Sequence, residues 1–292
     1  MFVITAEHVA IAELVVYIPI FLLTLWVVLR HGAHKQLGWI YVLIFSIIRV
    51  AGAVMEILST KNADDTTDKE WAVILQSVGL SPLLLSTLGI LKRVFDEISE
   101  HSPSAGRNMA LQGLGSSRGL IGKIAGIYTK RATAASRRSR AVQLLHIPAL
   151  IALVLAIMGG TDQASSDVSK HASGQTETHA AVIVFILIYM AACVLWAISA
   201  RDFSIMSSSQ TRIYLCVLLA LPLLAVRILY SVISAFSHRK QFSTIDGDET
   251  IRLVMATIEE FLVVFMYTIL GVITPRSTNK SRKQDHCSER GF

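Results

Sequence analysis

The chain has 292 residues, 53% of them hydrophobic and 16% charged, with a net charge of +6 and a mean hydropathy of +0.55. Soluble domains carry about 25% charged residues, so this composition excludes an ordinary soluble domain and predicts an all-α polytopic membrane protein. Three cysteines, Cys193 and Cys216 within apolar runs and Cys287 in a polar tail, exclude a disulfide framework and any zinc-binding spacing.

The apolar run that begins almost at Met1 lacks a basic leader and reads as a retained span rather than a cleaved signal. Seven stretches, 10–30, 38–59, 71–91, 142–160, 179–200, 213–236 and 253–273, reach the length of about 20 residues needed to cross roughly 30 Å of hydrocarbon. They predict a seven-transmembrane-helix bundle over 1–275, followed by a polar cytosolic tail over 276–292.

Orientation follows from the basic residues of the connections. The 92–141 connection holds ten, from Lys92 and Arg93 to Arg138 and Arg140, against Asp96, Glu97 and Glu100. Arg30, Lys35, Arg201, Arg212 and the tail fall on the same side, whereas 161–178 has one lysine and no arginine. The N-terminus is therefore expected outside or in the lumen and the C-terminus in the cytosol. Within the basic connection, 109–128 is either an interfacial helix against anionic headgroups or a solvated loop. Asp64-Asp65-Thr66-Thr67-Asp68 has the acidic pattern that holds magnesium and diphosphate in class I prenyl enzymes. With Lys61 and Lys69 beside it in a short lumenal loop, it reads as a solvated acidic loop. His171, Glu177 and His179 make a weak metal set, and no metal is expected.

The informative residues are the polar ones inside the spans. In the second, Arg49, Gly52, Ala53 and Glu56 share a helical face. Arg49 and Glu56 are about 10 Å apart along the axis, so each needs a partner on another helix. Gly52 and Ala53 allow something to approach closely. In the sixth, Arg227, Tyr230, Ser231 and Ser234 form a polar stripe just beyond Pro222, a residue that usually kinks a helix. The seventh carries adjacent acids, Glu259 and Glu260, although one ionisable group at mid-span costs about 2.5–3.5 kcal/mol.

The alternating topology places Glu56, Arg227, Tyr230, Glu259 and Glu260 in the outer half of the bilayer, with Glu13, Tyr17, Gln76 and Ser77 at similar depth. Two readings compete. Arg49, Arg227, Glu56 and Glu259 form buried ion pairs that fix helix register. Alternatively, the surplus of acids over arginines lines a cavity in which one desolvated carboxyl remains neutral and can donate a proton. Aromatic residues including Tyr189, Trp196, Phe261 and Phe265 could stabilise a carbocation.

Through its size, the outer-half acids Glu56, Glu259 and Glu260, and the lack of a soluble catalytic domain, the core 10–275 resembles the small membrane-bound terpene cyclases of fungal meroterpenoid pathways. The likeness is to the ascofuranone and macrophorin type. It implies metal- and cofactor-free, acid-initiated cyclisation of a lipophilic prenylated substrate, a meroterpenoid or epoxy-isoprenoid, in an endoplasmic reticulum or other endomembrane. Glu259 or Glu260 would then be the general acid and Glu56 the alternative donor or final base. Arg49, Arg227 and Tyr230 would bind substrate, the arginines orienting its oxygen or holding one carboxylate ionised. The partners expected are that substrate and the bilayer, with no nucleic acid.

The same outline resembles fungal lipid-translocating proteins of the RTA-like kind, and a non-enzymatic transporter is the competing class. A receptor reading finds no acidic-Arg-aromatic triplet after the third span and no NPxxY in the seventh. The seventh also lacks the lysine that a retinal Schiff base requires.

Overall fold

The computed structural model describes residues 6–31, 37–61, 66–101, 134–164, 168–200, 203, 206–237 and 249–274. Among these the chain is all-helical. In order come α1 (Ala6–His31), α2 (Leu37–Lys61), α3 (Thr66–Val78), α4 (Leu80–His101), α5 (Ala134–Ala164), α6 (Val168–Ser199), α7 (Ser208–Phe236) and α8 (Glu249–Arg252). A π-helical turn (Leu253–Thr257) then leads into α9 (Ile258–Ile273). Among the described residues, six helical stretches are long and apolar enough to cross a membrane: Glu7–Arg30, Leu37–Lys61, Ala141–Gln163, Lys170–Ser199, Ser208–Phe236 and Thr250–Ile273. The protein is thus a multi-pass integral membrane protein.

Large apolar side chains on the bundle surface fit that setting. Val15, Leu29, Leu187 and Leu219 are each at least 60% exposed, and so many exposed large apolar side chains on long apolar helices belong in lipid rather than in water.

The third apolar stretch departs from expectation. Instead of one span over 71–91, the helix breaks at Gly79, between α3 and α4. The local chemistry explains the break. Glycine is a poor helix former, and Pro82 has no N–H with which to reach the carbonyl of Val78. Pro82 falls in the first turn of α4, where proline is tolerated. By contrast, α7 runs through Pro222 as a continuous helix.

Contacts nevertheless carry α3 and α4 along α2, from Gly52 back to Gly38, in the opposite direction. Gly52 meets Leu75, Arg49 meets Gly79, and Gly38 meets Gly89 and Ile90. Every residue from Val78 to Leu91 is buried, and α2, α5, α6 and α7 all pack on α4. From α9, Tyr267 Oη reaches Thr87 Oγ1 at 2.9 Å. From Leu80 to Leu91, α4 is enclosed by protein, whereas α1, α2, α5, α6, α7 and α9 each carry exposed large apolar side chains.

Two further pairings set directions. Thr257–Glu13, Thr24–Thr268 and Arg30–Val272 run in the same order along α1 and the last helix, which are therefore parallel. The contacts His179–Ala235, Tyr189–Leu221 and Trp196–Tyr214 make α6 and α7 antiparallel. Start signals are local: Ser207 and Gln210 form a capping box at α7.

The readings of the 109–128 stretch and the 276–292 tail fall outside the described residues, as do Asp64 and Asp65.

Candidate functional site

The site is built on Glu260. Successive buried positions on α9 are Glu260, Val263, Val264, Tyr267, Thr268, Leu270 and Gly271, the three-and-four spacing of one helical face. Glu260 lies on this inner face and is 0% exposed, whereas Glu259 is half-buried. The π-turn directly upstream inserts an extra residue into the helical register and sets the phase with which both acids enter the bundle.

Two guanidinium groups converge on Glu260. Arg49 Nη2 from α2 pairs with Oε2, and Arg227 Nε from α7 donates to Oε1. All three side chains are at most 6% exposed. Each arginine is held from behind. Arg49 lies over the Phe45 ring, 5.6 Å from its centroid, and Arg227 lies over Tyr230 at the same distance. Arg227 Nη1 also donates to Ser231 Oγ at 2.7 Å, one helical turn away.

The cluster extends to α1 and to the π-turn. Arg49 Nη1 is 3.8 Å from Glu13 Oε1, and Thr257 Oγ1, the last residue of the π-turn, donates to the same oxygen at 3.2 Å. A methyl group added at Gly79 would sit 3.2 Å from both Arg49 Nη2 and Glu260 Oε1. The break in the third apolar stretch therefore presents bare backbone to the ion pair, an approach that glycine permits. Four helices and two helix irregularities meet at this cluster.

Several expectations change. Glu56 is not part of the cluster: it pairs with Arg252 Nη2 at 3.4 Å, about 10 Å further along α2 by helical rise. Glu259 does not make the expected register-fixing pair. Its Oε2 is buried without a hydrogen-bond partner among the described residues. Glu260, clamped by two guanidiniums, is an acceptor and a poor choice for the general acid. Gly52 admits α3: a Cβ there would lie 3.4 Å from Leu75 Cβ, and Ala53 is buried.

Glu13, expected at this depth together with Tyr17, joins the site, and Thr257 and Gly79 join it from outside the expected residues. Glu13 and Tyr17 share a buried α1 face with Ile20, Thr24 and Val27, and that spacing is readable in sequence. Gly79 had a weaker signal, a glycine three residues before a proline. Nothing local marks Thr257.

The weak metal set finds structural roles in part. His179 Nε2 is 2.7 Å from the Ala235 carbonyl, and its ring stacks on Phe236. Among the described residues no group of three or more His, Cys, Asp or Glu is placed to hold a metal ion.

A buried ion pair is costly to desolvate and is weak evidence for stability alone. Here Glu260, Arg49, Arg227, Ser231, Glu13 and Thr257 meet at a helix break and a π-turn, and such irregularities in membrane helices occur where backbone is protein-lined.

No curated protein and no solved structure matches this chain. The family described as a domain of unknown function, DUF7702, matches it over residues 3–141 and 116–277. These two overlapping stretches cover nearly all of the helical bundle, and the chain belongs to the DUF7702 family.

Proposed function

We propose that this protein is a non-enzymatic transporter or translocator of a lipophilic small molecule or lipid, with the Glu260 clamp as its binding and switching centre. The observation that carries this reading is the break at Gly79 placed against Arg49 and Glu260. Discontinuous membrane helices that bring backbone to a charged site are the usual construction of transporter binding sites. An ion pair spanning α2, α7 and α9 also ties together the helices that alternating access must separate.

The fold reading that accompanies it is seven crossings, with α3 and α4 as one broken crossing. Their run along α2 supports this count. The parallel course of α1 and α9 supports an odd number and hence termini on opposite faces. The basic 92–141 connection supports a cytosolic C-terminus and an N-terminus in the lumen or outside, in an endomembrane such as the endoplasmic reticulum.

The test is reconstitution of the full chain into vesicles carrying NBD-phosphatidylcholine. The protein should accelerate the exposure of inner-leaflet probe to dithionite and leave the extracted lipid chemically unchanged. Arg227→Gln should abolish the acceleration. Vesicles with and without protein behaving alike would sink the reading.

Glu259 favours a second reading, the terpene cyclase. With Glu260 clamped and Glu56 paired, Glu259 is the remaining donor of the three acids, and its buried Oε2 has no hydrogen-bond partner among the described residues. Protonation of a terminal olefin or epoxide by Glu259 would start cyclisation, with the arginines orienting a substrate oxygen. Microsomes supplied with a prenylated epoxide should then yield a cyclised product that Glu259→Gln loses. Undiminished turnover by that variant rules this reading out.

A further inference from the structure

Two buried donors on the α1 side of the cluster have no hydrogen-bond partner among the described residues. They are Tyr17 Oη and Arg49 Nε. Tyr17 is 1% exposed and Arg49 4% exposed. Both flank Phe45: the Tyr17 ring lies 6.0 Å from the Phe45 ring centroid, and Arg49 Cζ lies 5.6 Å from it. The Tyr17 hydroxyl is also within electrostatic reach of Arg49 and Glu13. Buried donors in native proteins are satisfied almost without exception, so two at one seam call for an acceptor supplied from elsewhere.

The chemistry of that acceptor is restricted. Arginine Nε can only donate, so the incoming group must present a lone pair. A cation is excluded by the same donors. An anion is disfavoured because the two Nη atoms of Arg49 already pair with the carboxylates of Glu13 and Glu260, whose negative charges lie beside the same guanidinium. What remains is an uncharged oxygen: a carbonyl, ester or hydroxyl. We propose that Tyr17 Oη and Arg49 Nε bind the neutral oxygen of a lipophilic ligand in the α1–α2 seam, over the Phe45 ring. The proposal rests on the transporter reading in naming its cargo class, a lipid or lipid-like molecule with an uncharged oxygenated head. The ester carbonyls of a phospholipid and those of a neutral glyceride share this chemistry.

The experiment uses the purified full chain in detergent and radiolabelled 1-monoolein as the probe. Saturable binding is expected, with competition by unlabelled monoolein and none by 1-octadecene or oleylamine. Oleate should compete at least tenfold less well. Tyr17→Phe removes one oxygen and should weaken binding about tenfold, the loss of one hydrogen bond. Should that variant fold poorly, a diazirine analogue of monoolein on the wild-type chain supplies the second measurement. Its labels should fall on α1 and α2 around Tyr17 and Phe45.

Octadecene competing as well as monoolein, unchanged binding by Tyr17→Phe, or labels confined to lipid-facing residues such as Val15 and Leu22 would each overturn the proposal. Absence of saturable binding would overturn it too and leave the two donors to ordered water. Monoolein binding that depends on Tyr17, without lipid movement in vesicles, would keep this site and reject transport. Lipid movement indifferent to Tyr17 would do the reverse.

Discussion

Glu259 and Glu260 are chemically identical neighbours that the fold treats in opposite ways, and stability measurements should separate them. Replacing Glu260 with glutamine leaves Arg49 and Arg227 buried with too little counter-charge, a loss of about 3–5 kcal/mol for a broken buried pair. Glu259 is half-buried and anchors neither arginine, so Glu259→Gln should change stability by less than about 1 kcal/mol. Thermal unfolding of both variants in the same detergent tests the pair, and equal melting temperatures would contradict the clamp. The distinction was partly legible. Counting from Glu260, Val264, Tyr267, Thr268 and Gly271 recur on one face, and a face with small and polar residues inside an apolar span is the protein-facing one. Spacing alone could not say that both arginines would choose the same acid.

At the level of elements, close helix crossings depend on glycine. A Cβ at Gly89 would lie 2.6 Å from the Gly38 Cα, and one at Gly38 would lie 2.8 Å from the Ile90 backbone nitrogen. Backbone cannot swing aside as a side-chain end can. Gly38→Ala and Gly89→Ala should each therefore cost about 1–3 kcal/mol, seen as a lower melting temperature. Gly52→Ala, with only an ordinary contact to Leu75 at 3.4 Å, should be close to neutral and serves as the control. Gly79→Ala probes the break instead. Its methyl group would press on Arg49 and Glu260 at 3.2 Å and should lower stability by about 1–2 kcal/mol, although alanine is the better helix former. A gain in stability would mean that the break is a defect of packing and not a support for the ion pair. Proline and glycine in sequence pointed to Pro222 as the irregular place. The break fell at Gly79 because there two helix-disfavouring residues lie three apart, while Pro222 stands among strong helix formers.

Across the whole molecule, the parallel pairing of α1 with α9 has a direct topological consequence. If both cross the bilayer, tags at the two ends of the chain must lie on opposite faces. In intact microsomes, protease should remove a C-terminal tag and spare an N-terminal one. Both tags digested, or both protected, would contradict the parallel pairing of α1 with α9 as crossing helices and with it the odd number of crossings.

The all-helical class, the membrane setting and most of the spans were legible in the sequence, because hydropathy and helical period are local properties summed over about 20 residues. The 71–91 stretch reads in the sequence as one span, where the structure has two helices, Thr66–Val78 and Leu80–His101, divided at Gly79. Which carboxylate meets the guanidiniums, and that Glu56 turns to Arg252, was decided by the tertiary structure alone. Arg49 has several acids at similar depth within reach of a plausible bundle. Helix packing, the phase set by the π-turn and the bare backbone at Gly79 select one of them, and none of these is encoded within a single helix.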